Sequence, residues 1–257
     1  MIQAAFFDVD GTLVSHTYGV VPSDTRDCLE ALHRRGIRIF LSTGRHVSEL
    51  ERLPVRDLCF DGYVTLNGQL CLDGRKRYLC GFPFSEGIAE KLAVLFREKR
   101  FPLVLTRENG LIINYINDLV CKAQAEISSP VPEIGVYDNL PIYQATTYVQ
   151  HGDEKTVREW IPSGCRLARW SDKGLDLLPL EGGKARGIRE ILKWEGIMPK
   201  EIIAFGDGEN DLDMLKLAGI GVAMGNAGES VRKASDYVTA DVNDDGIGKA
   251  LRYFGIL

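Results

Sequence analysis

The chain lacks the features that identify membrane and nucleic-acid-binding proteins. No stretch of its 257 residues approaches the roughly 20 consecutive apolar residues of a membrane-spanning helix. No charged leader precedes the first apolar strand, so the sequence predicts a cytoplasmic protein without a membrane partner. Lys and Arg form no basic block and the formal net charge is -5, which argues against nucleic acid as a partner.

Patterns typical of zinc sites and of catalytic histidines are also missing. The six cysteines include no Cys-X-X-Cys pair and have no histidine at zinc-site spacing, which predicts reduced thiols. Cys71 and Cys80 flank a turn at Asp73 and Gly74, and a hairpin there would bring the two thiols face to face. None of the four histidines stands in a pattern that predicts His-based catalysis. We therefore expect neither a zinc site nor a functional disulfide.

The two ends of the chain carry the pattern of a parallel α/β sheet. A hydrophobic content of 45% over 257 residues is enough for one large domain or two smaller ones. Buried strands alternate with helices in residues 1–81, and the same alternation resumes in residues 182–257. We therefore predict one α/β core that is built from both ends of the chain.

Residues 82–181 have a different character. A helix after Ser85 is followed by short alternating strands, two or three helices in all, and a loop that contains Pro130 and Pro132. Such a strand-rich block with few helices is typical of an α+β domain. We predict that this segment is a separate small domain inserted into the core.

The first cluster of functional interest is a pair of carboxylates, Asp8 and Asp10, that follows the first apolar strand. Ligand sites of open α/β sheets lie beyond the carboxyl ends of the strands. Residues two apart project to one side, and neighbouring carboxylates repel each other unless a cation or a shared proton intervenes. The pair therefore indicates a divalent metal site, although Asp and Gly11 are also ordinary turn residues.

Polar residues follow a second predicted strand, and a lysine lies near the start of a later helix. The hydroxyls and backbone N–H groups of Ser42, Thr43 and Gly44 suit an oxyanion such as phosphate, and a helix cap is the alternative. Lys184 lies near a predicted helix N-terminus, where a cation opposes the helix dipole. Its position indicates a bound anion or nearby carboxylates, unless it is an ordinary surface lysine.

A fourth cluster places three polar residues after another apolar strand. Asp207 ends that strand, and Asn210 and Asp211 follow three and four positions later, which returns them to one helical face. Carboxylate and amide oxygens are hard ligands of the kind that Mg²⁺ prefers. Helix capping would explain one of these residues, but metal binding better explains all of them.

Together the four clusters resemble the four motifs of the haloacid dehalogenase (HAD) superfamily phosphatases, in the same order. The matching segments are residues 8–12 (DVDGT), 42–44 (STG), Lys184 and residues 206–211 (GDGEND). The long gap between the second and third motifs resembles the Cof-type branch, whose members carry a large α/β cap there. The similarity extends to residues 221–227 and 234–239, and sugar-phosphate phosphatases of this branch are the closest match. It implies a Rossmann-like core with an inserted cap that governs substrate specificity.

The resemblance implies a role for each residue of the motifs. Asp8 would be the nucleophile that forms an aspartyl-phosphate, and Asp10 would be the general acid and base. Lys184 would neutralise the phosphoryl oxygens and orient Asp8. Thr43 and the Gly44 N–H would also bind those oxygens, and Asn210 would reach the phosphate.

The same resemblance implies a magnesium site and a set of substrate contacts. Mg²⁺ would be bound by the carboxylates of Asp8 and Asp207 and by the main-chain carbonyl of Asp10. Asp211 would position Lys184 or a metal-bound water. The substrate candidates that we predict are Arg45 and Asn67 from the core and Asn114, Gln144, Thr146, Arg169 and Trp170 from the insert.

The function predicted from the sequence is Mg²⁺-dependent hydrolysis of small phosphate monoesters, with sugar phosphates favoured. A phosphotransferase or phosphomutase would use the same aspartyl-phosphate, which then passes to a second hydroxyl. A catalytically idle sugar-phosphate-binding or regulatory module on the same fold is a third hypothesis. The sequence gives no clear oligomeric signal, and a monomer is compatible with it.

Overall fold

The computed structural model of the protein describes residues 1–127 and 129–257. Its strands are β1 (Ala4–Phe7), β2 (Arg38–Ser42), β3 (Gly62–Thr65), β4 (Leu70–Asp73), β5 (Tyr78–Gly81), β6 (Leu103–Arg107), β7 (Gly110–Ile113), β8 (Gln144–Tyr148), β9 (Cys165–Arg169), β10 (Gly174–Pro179), β11 (Ile202–Gly206), β12 (Ile220–Ala223) and β13 (Tyr237–Val238). Its helices are α1 (Ser23–Arg34), α2 (Val47–Leu50), α3 (Glu86–Glu98), α4 (Asp118–Glu126), α5 (Lys155–Arg158), α6 (Lys184–Glu195), α7 (Leu212–Leu217), α8 (Glu229–Ala234) and α9 (Gly246–Tyr253).

The chain divides into two compact units. The first consists of Met1–Cys80 and Gly183–Leu257, and the second is Gly81–Gly182. The two halves of the first unit therefore come from opposite ends of the chain. Among the described residues, no helix combines the length and the apolar character that crossing a membrane requires.

The first unit is built on a mixed sheet of eight strands in the order β13-β12-β11-β1-β2-β3-β4-β5. The strands from β13 to β3 pair in parallel, and β4 pairs antiparallel with β3. This parallel core confirms the α/β fold class that the alternating strands and helices predicted. Because β1 lies between β11 and β2, the carboxyl ends of these three strands meet at one edge of the sheet.

Aromatic side chains fix the centre of this sheet on both faces. Successive residues of a strand point to opposite faces, so Phe6 and Phe7 lie on different sides of β1. Phe6 stacks on Phe40 of β2 at 4.8 Å, and Phe7 stacks on Phe205 of β11 at 5.0 Å between ring centroids. Ile188 of α6 belongs to the same buried cluster as Phe6. This packing fixes the strand ends and the start of α6 relative to one another.

The second unit contains a five-stranded antiparallel sheet in the order β7-β6-β8-β10-β9. Leu92, Leu95 and Phe96 of α3 are buried in a cluster with Leu103 and Leu105 of β6. Helix α4 contributes to a second cluster with Val104 and Tyr148, residues of β6 and β8. Alternate residues of the strands therefore face two separate apolar layers, as the period of two requires.

The local boundaries differ from the sequence predictions at several points. Pro22 occupies the N-cap position of α1, and its side chain makes no capping hydrogen bond. Asn210 and Asp211, for which a helical face was predicted, belong to a 3-10 turn over Glu209–Asp211, and α7 follows it. Short helices such as α2 and α8 were not predicted, because four to six residues are too few to establish a helical period.

The cysteines are free thiols. Cys71 and Cys80 lie on the neighbouring strands β4 and β5, and Cys71 Sγ donates to the carbonyl oxygen of Gly187 at 3.5 Å. The interaction of the two thiols raises the pKa of Cys71 and lowers the pKa of Cys80. The turn at Asp73 thus brings the two thiols together in the reduced state.

Candidate active site

Polar residues follow each of the three central strands at the edge where their carboxyl ends meet. Asp8 comes directly after β1, Thr43 after β2 and Asp207 after β11. Apart from Arg38 at the start of β2, every residue of these three strands is buried, so the polar side chains at their carboxyl ends are those that come directly after the strands. Lys184, the first residue of α6, is brought to the same edge.

Lys184 is the centre of a buried ion-pair network. Its ammonium group donates to Asp8 Oδ1 at 2.6 Å, to Asp211 Oδ1 at 2.6 Å and to the carbonyl oxygen of Ser42 at 2.8 Å. Three acceptors match its three N–H bonds. Burial by itself lowers the pKa of Lys184, but the charges of Asp211 and Asp8 outweigh it and raise the pKa above the ordinary value. The lysine is therefore a permanent cation beside Asp8.

Asp211 uses both of its oxygens within the site. Oδ1 accepts from Lys184, and Oδ2 accepts from the backbone N–H groups of Asp207 at 3.0 Å and Gly208 at 2.9 Å. Through these hydrogen bonds the Asp211 carboxylate connects the turn after β11 with the start of α6. In this geometry Asp211 positions Lys184.

Asp8, Asp207 and Asp211 form a group of carboxylates whose oxygens lie within 4.8 Å of one another. Burial and the charge of Asp211 raise the pKa of Asp207 to about 7. Burial, followed by the charge of Asp211, likewise raises the pKa of Asp8 well above its ordinary value, against the effect of Lys184. Since one lysine does not compensate two buried carboxylates and a half-buried one, the donor set fits a divalent cation. Asp211 is already bonded to three donors, which leaves Asp8 and Asp207 as the better carboxylate ligands.

Asp207 is oriented by residues of two other loops. Thr12 Oγ1 donates to Oδ1 at 3.4 Å, and Asn226 Nδ2 donates to Oδ2 at 3.2 Å. The same Asn226 amide donates to the carbonyl oxygen of Gly11 at 2.8 Å and accepts from the backbone N–H of Val242 at 3.1 Å. Asn226 therefore joins the loop after β1 to the loop after β11.

Sequence reasoning missed this role of Asn226. The residue was noticed only within the segment 221–227, as part of the family resemblance. It lies three residues beyond β12, the next strand of the sheet, whereas Asp207 follows β11 directly. It is the first polar residue beyond β12, so extending the strand-end rule past Met224 and Gly225 would find it.

Gly11 allows Asp207 to approach the first loop. Its φ is +80°, and a Cβ at this position would lie 2.2 Å from Asp207 Oδ2 and 2.8 Å from His16 Nε2. A side chain there would displace the carboxylate. The glycine is needed both for the backbone angle and for the space.

The side chain of Asp10 is bound by Arg45 and does not belong to the group formed by Asp8, Asp207 and Asp211. Arg45 Nε donates to Asp10 Oδ2 at 2.7 Å, and Nη2 donates to Oδ1 at 2.8 Å. Arg45 is buried and also interacts electrostatically with Glu49, whose pKa is raised by burial more than Arg45 lowers it. The sequence predicted Arg45 as a substrate contact but did not predict this pairing. Through the two hydrogen bonds Arg45 orients the Asp10 carboxylate.

The predicted phosphate-binding residues lie close together, with some of their groups already engaged. The Thr43 N–H donates to the Val64 carbonyl at 2.8 Å, and Thr43 Oγ1 accepts from the Arg45 N–H at 3.2 Å. Asn210 Nδ2 donates to Asn67 Oδ1 at 3.0 Å. Asn67 also borders Gly44, where a Cβ would lie 3.1 Å from its side chain. Asn67 and Asn210, which were predicted separately, thus form one amide pair.

The candidates from the insert belong to the second unit and take part in its own packing. Arg169 forms an ion pair with Glu154 at 2.7 Å and donates to the carbonyl oxygen of Ser171 at 2.9 Å. Trp170 makes an edge contact with Tyr148 at 6.5 Å between ring centroids. Asn114 donates to the Phe101 carbonyl and is buried. Their contact with a substrate stays a prediction.

Two further candidates lie on β8 of the same unit. Thr146 Oγ1 donates to Asp176 Oδ1 at 2.7 Å, and Gln144 is buried at the start of the strand. Both side chains are on the sheet face opposite the α3 cluster, since Ala145 belongs to that cluster. Their substrate role is likewise a prediction.

Comparison with known proteins places this geometry in a family. The family model for haloacid dehalogenase-like hydrolases matches residues 5–251. The Bacillus subtilis (strain 168) protein named "Putative phosphatase YkrA" is 29% identical over 255 residues, which cover 98% of this chain and 97% of that protein.

Two solved structures resemble the whole chain. A phosphatase of the HAD superfamily from Bacteroides thetaiotaomicron is 32% identical with a TM-score of 0.88, and the match covers 100% of this chain and 96% of that one. A structure described as a HAD subclass IIB sugar phosphatase is 36% identical with a TM-score of 0.87, and the match covers 99% of this chain and 100% of that one.

Proposed function

This chain belongs to the haloacid dehalogenase-like hydrolase family and is a phosphatase, and we propose that it hydrolyses small phosphate monoesters through an aspartyl-phosphate on Asp8. The family resemblance predicted from the four motifs is thereby confirmed. The observation that carries the proposal is the position of Asp8, which lies beyond β1 with Lys184 bonded to one oxygen and Asp207 in the same carboxylate group.

In the first step an oxygen of Asp8 attacks phosphorus, and the bond between phosphorus and the ester oxygen breaks in line with the attack. Asp10 gives its proton to the departing oxygen. Lys184 keeps Asp8 oriented and offsets the negative charge of the phosphoryl group. The products of this step are the free alcohol and the aspartyl-phosphate.

In the second step a water molecule attacks the same phosphorus and gives its proton to Asp10. The bond between phosphorus and the Asp8 oxygen breaks, which releases inorganic phosphate and regenerates both carboxyl groups. The separate roles of Asp8 and Asp10 agree with the different cations that they face. Asp8 is paired with Lys184 inside the group of three aspartates, and Asp10 is paired with Arg45 outside that group. Arg45 holds the proton carrier in one orientation for both transfers.

We propose Mg²⁺ as the cation of this site. The carboxylates of Asp8 and Asp207 and the main-chain carbonyl of Asp10 would hold the ion, and Asp211 would position Lys184. When bound, Mg²⁺ supplies charge neutralisation and orientation for the phosphoryl oxygens. Thr43, Gly44 and Asn210 would bind the phosphoryl group on the other side.

We propose sugar phosphates as the favoured substrates. Support comes from the HAD subclass IIB sugar phosphatase, which resembles this chain over nearly its full length. The second unit, with Arg169 and Trp170 among its polar and aromatic groups, would select the leaving group. Comparing kcat/KM for hexose, pentose, nucleotide and cofactor phosphates tests this assignment, and equal values for all four classes would refute it.

The reaction is tested with Asp8→Asn and with metal chelation. We expect Asp8→Asn to lower kcat by about 10³-fold or more. It should also abolish the acid-stable ³²P-labelling of the protein that a ³²P-labelled phosphate ester produces during turnover. Asp27→Asn is the matched control, since Asp27 is exposed on α1. Full turnover in Asp8→Asn, or in the presence of a chelator, would overturn the mechanism. Transfer of the label to an added sugar in place of water would identify a phosphotransferase instead.

A further inference from the structure

Three consecutive residues beside the active site adopt left-handed backbone angles. The φ values are +53° for Leu66, +52° for Asn67 and +89° for Gly68. Glycine adopts this region readily, and asparagine does so at a small cost, but a leucine there is a conformational outlier. Such a conformation persists only where the surrounding structure imposes it.

The surroundings do impose it, through both backbone and side chains. The Leu66 N–H donates to the carbonyl oxygen of Arg45 at 3.2 Å, and the Asn67 N–H donates to that of Thr43 at 3.0 Å. The Leu66 side chain is buried in the core. The segment is therefore fastened to the loop that follows β2, which carries the predicted phosphate-binding residues.

Gly68 brings the same segment against the start of α6. A Cβ on Gly68 would lie 2.0 Å from the carbonyl oxygen of Gly183 and 3.0 Å from Lys184 Cα. The backbone thus packs directly on the residue that precedes the buried lysine. No larger residue fits at this position.

The outcome of this arrangement is the placement of one side chain. Asn67 is buried, accepts from Asn210 Nδ2 at 3.0 Å, and lies against Gly44. Asn210 belongs to the loop after β11 and Gly44 to the loop after β2, so Asn67 connects two loops of the site. An extended backbone at position 67 would direct its side chain elsewhere.

We propose that Asn67 is a positioning residue of the phosphatase site, and that the strained segment 66–68 is retained because it holds the Asn67 amide against Asn210 and Gly44. This inference rests on the proposed function, because it assigns Asn210 and Gly44 to the binding of the phosphoryl group. The strain is the cost of placing this amide, and the amide in turn fixes the width of the phosphoryl site between the two loops.

The alternative is that the segment serves packing alone. In that case activity follows stability, and relieving the strain leaves catalysis intact. If Asn67 positions the site, stability and activity separate, because glycine at position 67 removes both the backbone strain of that residue and its amide. The substitutions at position 67 distinguish these two explanations.

The experiment compares Asn67→Gly and Asn67→Ala with the parent protein. We expect Asn67→Gly to have the melting temperature of the parent or a higher one, since glycine adopts this φ without strain. We expect its kcat/KM to fall by about tenfold. Asn67→Ala keeps the strain and loses the amide, so we expect the same loss of activity with a lower melting temperature. Asn139→Gly is the matched control, because Asn139 has φ +62° but is exposed in the second unit.

A double-mutant cycle tests whether Asn67 acts through Asn210. If it does, Asn67→Ala combined with Asn210→Ala loses no more kcat/KM than Asn210→Ala alone. Binding of inorganic phosphate to the same variants, measured by calorimetry, should weaken in parallel and requires no turnover. Full activity in Asn67→Gly, or losses that multiply in the double variant, would overturn the proposal. A parent protein that binds phosphate but forms no phosphoenzyme would instead refute the proposed function.

Discussion

The guanidinium of Arg45 binds the carboxylate of Asp10 through two hydrogen bonds, from Nε at 2.7 Å and from Nη2 at 2.8 Å. Such bidentate pairing fixes the plane of the carboxylate as well as its position. Asp8, two residues earlier, faces Lys184 instead. Two neighbouring carboxylates thus receive different cations, and this difference separates the nucleophile from the proton carrier that we propose.

Removing this guanidinium should impair proton transfer more than phosphoryl transfer. We expect Arg45→Ala to lower kcat about 10- to 100-fold for an alkyl phosphate, whose leaving oxygen needs a proton. The loss for p-nitrophenyl phosphate should be smaller, since its leaving group departs unprotonated. Steady-state kinetics with both substrates measure the difference. Arg26→Ala removes a comparable pair with Asp57 away from the site and serves as the control. Equal losses for the two substrates would contradict a role through Asp10.

Removing the buried cation should destabilise the fold. Lys184→Met leaves Asp8 and Asp211 buried without their partner, which we expect to lower the free energy of unfolding by about 3–5 kcal/mol. Adding Asp211→Asn should restore part of that loss, because one uncompensated charge is removed. Urea denaturation measures both effects. Lys193→Met, on the exposed side of α6, is the control and should cost less than about 1 kcal/mol. A Lys184→Met protein as stable as the parent would contradict the network described here.

The stabilisation by Mg²⁺ should increase with pH. Folding raises the pKa of Asp207 from 3.8 to about 7 and raises that of Asp8 as well. A carboxyl group whose pKa is raised holds its proton more tightly when folded, so the metal-free protein loses stability as pH rises through this interval. Since a cation binds the deprotonated carboxylates, we expect Mg²⁺ to raise the melting temperature more at about pH 8 than at about pH 5.

Thermal melting with Mg²⁺ and with a chelator, at both pH values, checks this expectation. Asp207→Asn is the matched variant, because an amide does not titrate. Its melting temperature should respond little to Mg²⁺ at either pH. An increase of the same size at both pH values in the parent protein would show that these carboxylates do not bind the ion.

A methyl group at Gly11 should weaken metal binding specifically. In Gly11→Ala the new Cβ would overlap Asp207 Oδ2, at 2.2 Å, and displace this carboxylate. We expect the Mg²⁺ dissociation constant, measured by calorimetry, to rise about tenfold or more. Gly19→Ala is the control, because Gly19 has φ +63° with nothing within 4 Å of its Cβ position. Both variants should lose about 1 kcal/mol of stability from the backbone angle. Equal Mg²⁺ affinity in the two variants would refute the steric argument.

The strand-end clusters were predictable because their signal is local. A buried apolar strand followed at once by Asp8, Thr43 or Asp207 stands out within a few residues of sequence. The parallel order of the sheet follows from the alternation of strands and helices, because parallel strands need crossover connections. The same reasoning would have reached Asn226 after β12, had it been applied to that strand.

The partners of these residues were not predictable in the same way. Arg45 and Asp10 are 35 residues apart, Lys184 and Asp8 are 176 apart, and Asn226 and Gly11 are 215 apart. No local pattern specifies which polar groups meet across such distances. The substrate contact of Arg45 stays a prediction, whereas its pairing with Asp10 is visible only in the folded chain.

The sequence by itself determined the α/β class, the family and the identity of the residues at the strand ends, because hydrophobic periodicity and motif order are written along the chain. Only the tertiary structure decided which cation faces which carboxylate, how Asn226 joins two loops, and why residues 66–68 adopt left-handed angles. These features depend on packing between segments that are distant in sequence. Asn67 illustrates the difference, since its residue type permits the left-handed backbone, whereas its contacts with Asn210 and Gly44 exist only in the fold.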